Sequence, residues 1–78
     1  MDFDNVITSL KMLREEDGIP KNLKFKISEI IRVLNLDDQD FDIRKHKTEA
    51  ILDEISEDVS LPSFIRTQIY QIVSLLQD

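Results

Sequence analysis

The sequence predicts an all-α protein made of two consecutive pairs of antiparallel helices. Residues 6–36 align with residues 48–78 without a gap, at an offset of 42 positions. Apolar residues recur at spacings of three and four along four stretches, as in helices that each bury one stripe. Only one Gly and two Pro occur in 78 residues, which leaves few positions for long loops or β-turns.

The internal repeat rests on matches that need no insertion. Six aligned pairs are identical: Leu10/Leu52, Glu15/Glu57, Pro20/Pro62, Ile27/Ile69, Ile30/Ile72 and Leu34/Leu76. Five more pairs exchange one apolar residue for another: Leu13/Ile55, Ile19/Leu61, Leu23/Ile65, Ile31/Val73 and Val33/Leu75. A period of about 40–47 residues built from paired helices is typical of HEAT and armadillo repeats. We therefore predict one domain, residues 1–78, with four to five helices in a short HEAT-like superhelix.

The first pair of helices is predicted from two apolar stripes separated by Gly18. Helix 1 is expected to be capped by Asp2 or Asp4 and to run to about Glu16. Its stripe is Phe3, Val6, Ile7, Leu10 and Leu13. Helix 2 is expected to run from Pro20 to near Asn35. Its stripe is Leu23, Ile27, Ile30, Ile31 and Leu34.

The second pair departs from this regularity in two places. Helix 3 is expected to begin at Asp37 or Asp38, either of which can cap it. Its apolar positions are Phe41, Ile43, Ala50, Ile51, Leu52 and Ile55. The polar stretch 44–47 interrupts that stripe, so it is either exposed or made of long side chains laid over the core. Helix 4 is expected to begin at Pro62. Its inner stripe is Ile65, Ile69, Ile72, Val73 and Leu76.

The corners between paired helices carry a second prediction. Pro20 and Pro62 suit the first helical position, where no N–H is needed. Ile19 and Leu61 precede them and are expected to plug the gap between the paired helices. Acidic residues at the end of helix 3 have the wrong sign for the helix dipole, so we expect Asp58 to pair with Arg66 across the corner.

Composition limits the classes of function. The net charge of −6 and pI of about 4.6 argue against a broad phosphate-tracking surface and fit either a basic protein partner or simple solubility. The chain has no cysteine, so neither a disulfide nor a thiolate metal site is expected. No apolar run approaches about 18 residues, which predicts no membrane span. The acidic start, MDFDN, argues against a signal or transit peptide.

One stretch resembles a calcium loop. Asp38, Asp40, Asp42 and Glu49 match the EF-hand positions 1, 3, 5 and 12. The required Gly at position 6 is replaced by Ile43, and cationic residues follow it, so we expect a solvated helix start there. His46 has only ordinary helical neighbours, and no nucleophile–base pair or Gly-rich phosphate loop is present. We therefore expect no enzyme activity and no cofactor.

Two surfaces remain as hypotheses for binding. Three side chains make helix 4 apolar on more than one face: Phe64, Tyr70 and Leu75. They predict self-association, for example a homodimer, or a protein partner, unless Phe64 and Leu75 pack inside the monomer. Six basic residues form the alternative, a local patch for RNA or a ribonucleoprotein: Lys21, Lys24, Lys26, Arg44, Lys45 and Lys47. A solvated face is the simpler interpretation of that patch.

The second half of the chain resembles a small uncharacterised family of archaeal proteins. The resemblance rests on Ile51–Ser56, the acidic corner Glu57–Asp58, Pro62, Arg66–Ile69 and Ile72–Leu76. The first half resembles the family less, through Val6–Leu13 and the Ile19–Pro20 corner, and the stretch 44–47 departs from its more alanine-rich pattern. The resemblance implies an all-α, right-handed, HEAT-like superhelix in a cytoplasmic protein, and it implies no activity.

Overall fold

The computed structural model describes residues 3–77, and within that range it contains four helices and no strand. The helices are α1, Asp4–Arg14; α2, Lys21–Leu34; α3, Phe41–Ser56; and α4, Ser63–Gln77. The all-α class is as predicted, and four helices in the described residues fall within the predicted four to five. None of these helices combines the length and the apolar character that crossing a bilayer requires.

The four helices pack around one core. The apolar stripes predicted for α1, α2 and α4 are buried, except that Ile7 and Val73 are half-buried, and Leu52 and Ile55 add the α3 contribution. Ile19 and Leu61 are also buried in this core, which confirms that the residues before the two prolines plug the corners. On α3, by contrast, Ile43 and Ala50 face the solvent rather than the core.

The helices form a closed ring rather than an open stack. Each helix contacts two others: α1 contacts α2 and α4, and α3 contacts α2 and α4. The diagonal pairs α1/α3 and α2/α4 make no close backbone contact in the described residues. In a stacked repeat array, those equivalent helices are the ones expected to pack together. The HEAT-like superhelix is therefore not confirmed.

The sequence repeat corresponds to a two-fold relation inside this ring. α2 and α4 begin at Lys21 and Ser63, which are 42 positions apart, and α1 and α3 end at Arg14 and Ser56, also 42 apart. Exchanging the two halves turns the α1/α4 contact into the α3/α2 contact, and both contacts are present. The two helical pairs therefore face each other across a pseudo-two-fold axis, and the molecule measures 34 × 19 × 18 Å.

The two prolines directly precede their helices, whereas they were predicted to be the first helical residues. Pro20 has a ψ of 149°, so it is the N-cap of α2, and its carbonyl accepts the N–H of Lys24 at 3.0 Å. Pro62 precedes α4 in the same way, and its carbonyl accepts the N–H of Arg66 at 3.3 Å. The prediction that helices 2 and 4 start at the prolines was therefore wrong by one residue.

Three other helix ends also differ from the prediction. α1 ends at Arg14, two residues before the expected Glu16, although Gly18 does take a positive φ of 84° that favours glycine. Phe3 is the N-cap of α1 and Asp4 is its first residue, while Asp2 lies outside the described residues. α3 begins at Phe41 rather than at Asp37 or Asp38, because residues 36–39 form a turn in which Gln39 N–H donates to the Leu36 carbonyl.

Candidate functional site

Helix α4 has the composition of a helix that is covered on more than one side. Only one of its 15 residues is charged, Arg66, although a third of the whole chain is charged. Three large apolar or aromatic side chains on it are nevertheless exposed: Phe64 by 45%, Tyr70 by 56% and Leu75 by 39%. Depletion of charge together with exposed aromatic residues is characteristic of the centre of protein–protein interfaces.

These three side chains lie on two different sides of α4. At about 100° per residue, Phe64 and Leu75 are only about 20° apart around the helix axis, with Gln68 and Gln71 between them. Tyr70 lies roughly 120° away from Phe64 on the same measure. The predicted interaction face therefore separates into a Phe64–Leu75 side and an isolated Tyr70.

The Phe64–Leu75 side borders a groove between α1 and α4. The groove has a volume of about 450 Å³. The side chains that line it are Ser9, Met12, Glu16, Gln68, Gln71, Ile72 and Leu75. Glu16 is the only charged residue among them, and Met12 is largely exposed at the rim. We call this feature the α1/α4 groove.

The pseudo-two-fold axis supplies an internal comparison for this groove. The α2/α3 interface is its counterpart, and there Ile51 takes the place of Ser9 and Glu54 the place of Met12. Ile51 is half-buried against the core, and one turn later Glu54 accepts a hydrogen bond from Lys26 at 3.0 Å. At the positions where the α1/α4 groove is open, the α2/α3 interface is thus covered by the larger side chain of Ile51 and by the ion pair between Glu54 and Lys26.

A second difference between the two interfaces concerns one apolar position. Val33 of α2 aligns with Leu75 of α4, yet Val33 is only 7% exposed and Leu75 is 39% exposed. Ile30 and Ile72, which align with each other, are both buried. The two interfaces therefore share their inner layer, and they differ at the outer layer, where the α1/α4 groove leaves apolar atoms in contact with solvent.

The six basic residues predicted as a patch do not lie together. Because α2 and α3 are antiparallel, Lys21 and Lys24 at the start of α2 are at the opposite end of the bundle from the residues at the start of α3. Lys26 is engaged by Glu54, and Lys47 donates to the Gln39 side chain at 3.3 Å. The structure thus divides this set between the two ends of the molecule.

Arg44 has a structural role at one of those ends. Its Nη1 donates to the backbone carbonyl of Leu34 at 2.9 Å, at the C-terminus of α2. Its guanidinium carbon lies 5.3 Å from the centroid of the Phe3 ring, and that ring stacks on Phe41 at 4.4 Å. The long polar side chain is therefore laid over apolar groups, one of the two arrangements expected for residues 44–47.

The predicted Asp58–Arg66 ion pair does not form. Asp58 instead accepts hydrogen bonds from the hydroxyl of Ser60 at 2.6 Å and from its backbone N–H at 3.0 Å. Both hydrogen bonds lower the pKa of Asp58 below its ordinary value, and the bond from the Ser60 hydroxyl has the larger effect. The nearby charge of Lys26 acts in the same direction. A local turn therefore satisfies the acidic corner, and Arg66 keeps a buried Nε that has no partner in the described structure.

The acidic stretch before α3 shows no metal-binding geometry. Asp38 and Asp40 precede the helix, Asp42 is in its first turn, and all three are exposed, as is His46. Within residues 3–77, no group of three or more His, Asp or Glu side chains is arranged to hold a metal ion.

Two positions that define the candidate site were not predicted from the sequence. Ser9 and Met12 were not singled out, because a small polar residue and a single methionine give no signal in an apolar stripe. The repeat alignment contains that signal, since it places Ser9 against Ile51 and Met12 against Glu54. An unmatched pair in an otherwise regular repeat marks the place where the two halves of the molecule differ.

Known proteins resemble this chain along nearly its whole length. A UPF0147 protein from Methanothermobacter thermautotrophicus is 33% identical over 75 residues, which cover 96% of this chain and 74% of that protein. A UPF0147 protein from Metallosphaera sedula is 36% identical over 73 residues, covering 91% of this chain and 80% of that protein.

A solved structure agrees with the fold. The crystal structure of a protein from the uncharacterised family UPF0147, from Thermoplasma acidophilum, superposes with a TM-score of 0.91 at 28% identity. The superposition covers 96% of this chain and 88% of the other. The resemblance to a small archaeal family is thereby confirmed. Because the model of the uncharacterised protein family UPF0147 also matches residues 1–78, the chain belongs to that family.

Proposed function

We propose that this UPF0147 protein is a non-catalytic protein-interaction module that binds through the Phe64–Leu75 side of α4 and the adjoining α1/α4 groove. The observation that carries the proposal is the composition of α4. It has a single charge in 15 residues and leaves Phe64 and Leu75 exposed to solvent. A surface helix that binds nothing is expected to carry a polar outer face instead.

The groove adds shape to this surface. Exposed apolar residues scattered singly are ordinary on proteins, so Phe25 and Val59, each alone on its element, do not define a site. Met12, Leu75 and the buried Ile72 share one concavity of about 450 Å³. A concavity with an apolar floor and a few amide groups at its rim is the form that receives an anchoring side chain.

A nucleic-acid function is not proposed in its place. The basic residues that motivated it lie at opposite ends of the bundle, and Lys26 and Arg44 are engaged within the protein. Phosphate binding by an acidic protein requires a local concentration of cations, and this arrangement does not supply one.

A capture experiment with matched variants tests the proposal. The bait is the tagged full chain, incubated with lysate of cells that contain the untagged chain, with and without nuclease. The test variant carries Phe64→Ser and Leu75→Gln. The control carries Phe25→Ser, which removes a still more exposed aromatic residue, 70% against 45% for Phe64, from α2, the helix diagonal to α4.

We expect wild type and control to retain the same protein, either another chain or the untagged copy, in the presence of nuclease, and the test variant to lose it. If the test variant retains every protein that the control retains, the Phe64–Leu75 side is not a binding surface. Loss of all captured protein with nuclease would contradict a protein partner.

A further inference from the structure

We propose that the occupant of the α1/α4 groove is a second copy of this chain. This proposal rests on the proposed function and specifies the partner. In this arrangement α4 packs antiparallel against α4 of the second copy about a two-fold axis. Phe64 of each copy enters the α1/α4 groove of the other and contacts Leu75 there. The result is a homodimer with a closed, isologous interface.

Charge is the first argument for a second copy. The chain carries a net charge of −6, so most pairs of its surfaces repel each other. Juxtaposing like charges across an interface is unfavourable and suppresses association. The Phe64–Leu75 side avoids this cost, because α4 carries no acidic residue and Glu16 is the only charged residue among residues 3–77 that lines the groove. A strongly basic partner, in contrast, would find little negative charge at this groove.

Self-complementarity is the second argument. In an isologous interface, residue i contacts residue j of the second copy while j contacts i. Phe64 and Leu75 lie on one side of α4 and are separated by about 16 Å along its axis. An antiparallel α4 pair centred between Gln68 and Gln71 therefore brings each Phe64 to the Leu75 of the other copy. The glutamine amides then meet near the axis, where each can both donate and accept hydrogen bonds.

The available area is the third argument. One long face of a molecule measuring 34 × 19 × 18 Å presents roughly 600 Å² in projection. The solvent-accessible area of a face exceeds its projected area. One face can therefore supply the ~800 Å² per partner that a standard protein–protein interface buries. For a small four-helix domain, covering such a face also adds buried apolar area that the monomer lacks.

The mass of the protein in solution tests the homodimer. Sedimentation equilibrium over a wide concentration series should give a reversible monomer–dimer equilibrium for the wild type. Phe64→Ser should raise the dissociation constant at least about tenfold. Phe25→Ser should leave it unchanged. Helicity and thermal unfolding of each variant, measured below the dissociation constant, separate loss of association from loss of folding.

A cross-linking measurement tests the antiparallel geometry independently of the anchor residues. The chain contains no cysteine, so introduced thiols can react only with each other. Chains carrying Gln68→Cys mixed with chains carrying Gln71→Cys should form a mixed disulfide dimer more readily than either variant alone. Tyr70→Cys, on the other side of α4, should not cross-link.

The outcomes separate this inference from the proposed function. A wild type that stays monomeric at every concentration overturns the homodimer. If the Phe64→Ser and Leu75→Gln variant then still loses a captured protein of another kind, the interaction module stands with a different occupant. A dimer that survives Phe64→Ser unchanged overturns the proposed interface as well.

Discussion

At the scale of single residues, Thr48 is a polar side chain that lies within the apolar core. Thr48 is completely buried, and its hydroxyl has no hydrogen-bond partner within residues 3–77. A search for apolar stripes overlooks it, because threonine is polar. The repeat alignment reveals it, because Thr48 takes the place of the buried Val6. Thr48 therefore occupies a site that its counterpart fills with an apolar side chain of the same shape.

Thr48→Val should therefore stabilise the protein. The substitution removes a buried hydroxyl without a partner and leaves a side chain of the same shape, so we expect a gain of about 1 kcal/mol in the free energy of unfolding. Chemical denaturation monitored by circular dichroism measures it. The matched control is Val6→Thr, which buries a new hydroxyl in the equivalent site and should cost about 1–3 kcal/mol. A decrease in stability with Thr48→Val would contradict this account.

Asp58 predicts a pH dependence confined to the acid range. Its pKa is lowered in the folded protein by the Ser60 bonds, so it contributes stability above its unfolded pKa and loses that contribution as the pH falls through the folded value. Ser60→Ala should raise the pKa of Asp58 towards the ordinary value of about 3.9. The free energy of unfolding should then decrease less steeply as the pH falls below that value. An NMR titration of the Asp58 carboxyl group measures the shift.

Ser56→Ala is the control for this titration. The Ser56 hydroxyl donates to the backbone carbonyl of Asp53 rather than to a carboxylate, so its removal should leave the pKa of Asp58 unchanged. Equal titration curves for the wild type and Ser60→Ala would show that the turn does not determine this pKa.

At the scale of helices, the sequence predicted the existence of α1 to α4 better than their ends. Apolar spacing determines which side of a helix is buried, and it contains no information about the first residue. Pro20 illustrates the difference: its ring fits either the N-cap or the first turn, and only the observed ψ of 149° distinguishes them. Asp37 and Asp38 looked like caps, but the turn after Leu36 uses those residues and delays α3 to Phe41.

Arg44 joins three elements, so its removal should weaken the bundle at one end. The substitution Arg44→Met keeps an unbranched apolar stem but loses the hydrogen bond to the Leu34 carbonyl and the contact with the Phe3 ring. We expect a loss of about 1–2 kcal/mol, because a cation at a helix C-terminus and a charge-assisted bond are both removed. Denaturant titration measures the loss.

Arg32→Met provides the matched comparison. Arg32 is an exposed residue of α2 whose partner, Glu29, lies on the same helix at 3.0 Å. Solvent screens such an exposed pair on one helix, so the loss of stability should be small. If the two substitutions cost the same, the cross-element contacts of Arg44 do not stabilise the fold.

At the scale of the whole molecule, the repeat predicted two equivalent halves but not the operation that relates them. A translation that stacks helices into an array and a rotation that closes them into a ring bury the same stripes, so the pattern of apolar residues is compatible with both. Two repeats are also fewer than the three or so that an open array needs for a continuous core. The contacts of α1 with α4 and of α2 with α3 show that rotation is the operation used here.

The same symmetry supplies the substitution that tests the groove most directly. Ser9→Ile places in the α1/α4 interface the residue that its counterpart Ile51 provides in the α2/α3 interface. Ser9 is half-buried and lines the groove, and serine and isoleucine have similar helix propensities. The added apolar atoms should fill part of the groove and raise the free energy of unfolding by about 1 kcal/mol.

Ser9→Ile should at the same time weaken association, because the space proposed for Phe64 of the second copy is then occupied. We expect a more stable monomer with a dissociation constant for the dimer at least about tenfold higher, measured by thermal unfolding and sedimentation equilibrium on the same samples. Thr8→Ile is the control, since it adds a larger apolar side chain to an exposed position beside Ser9 that does not line the groove. A merely structural groove predicts the gain in stability alone, whereas a binding groove predicts the gain in stability together with the loss of association.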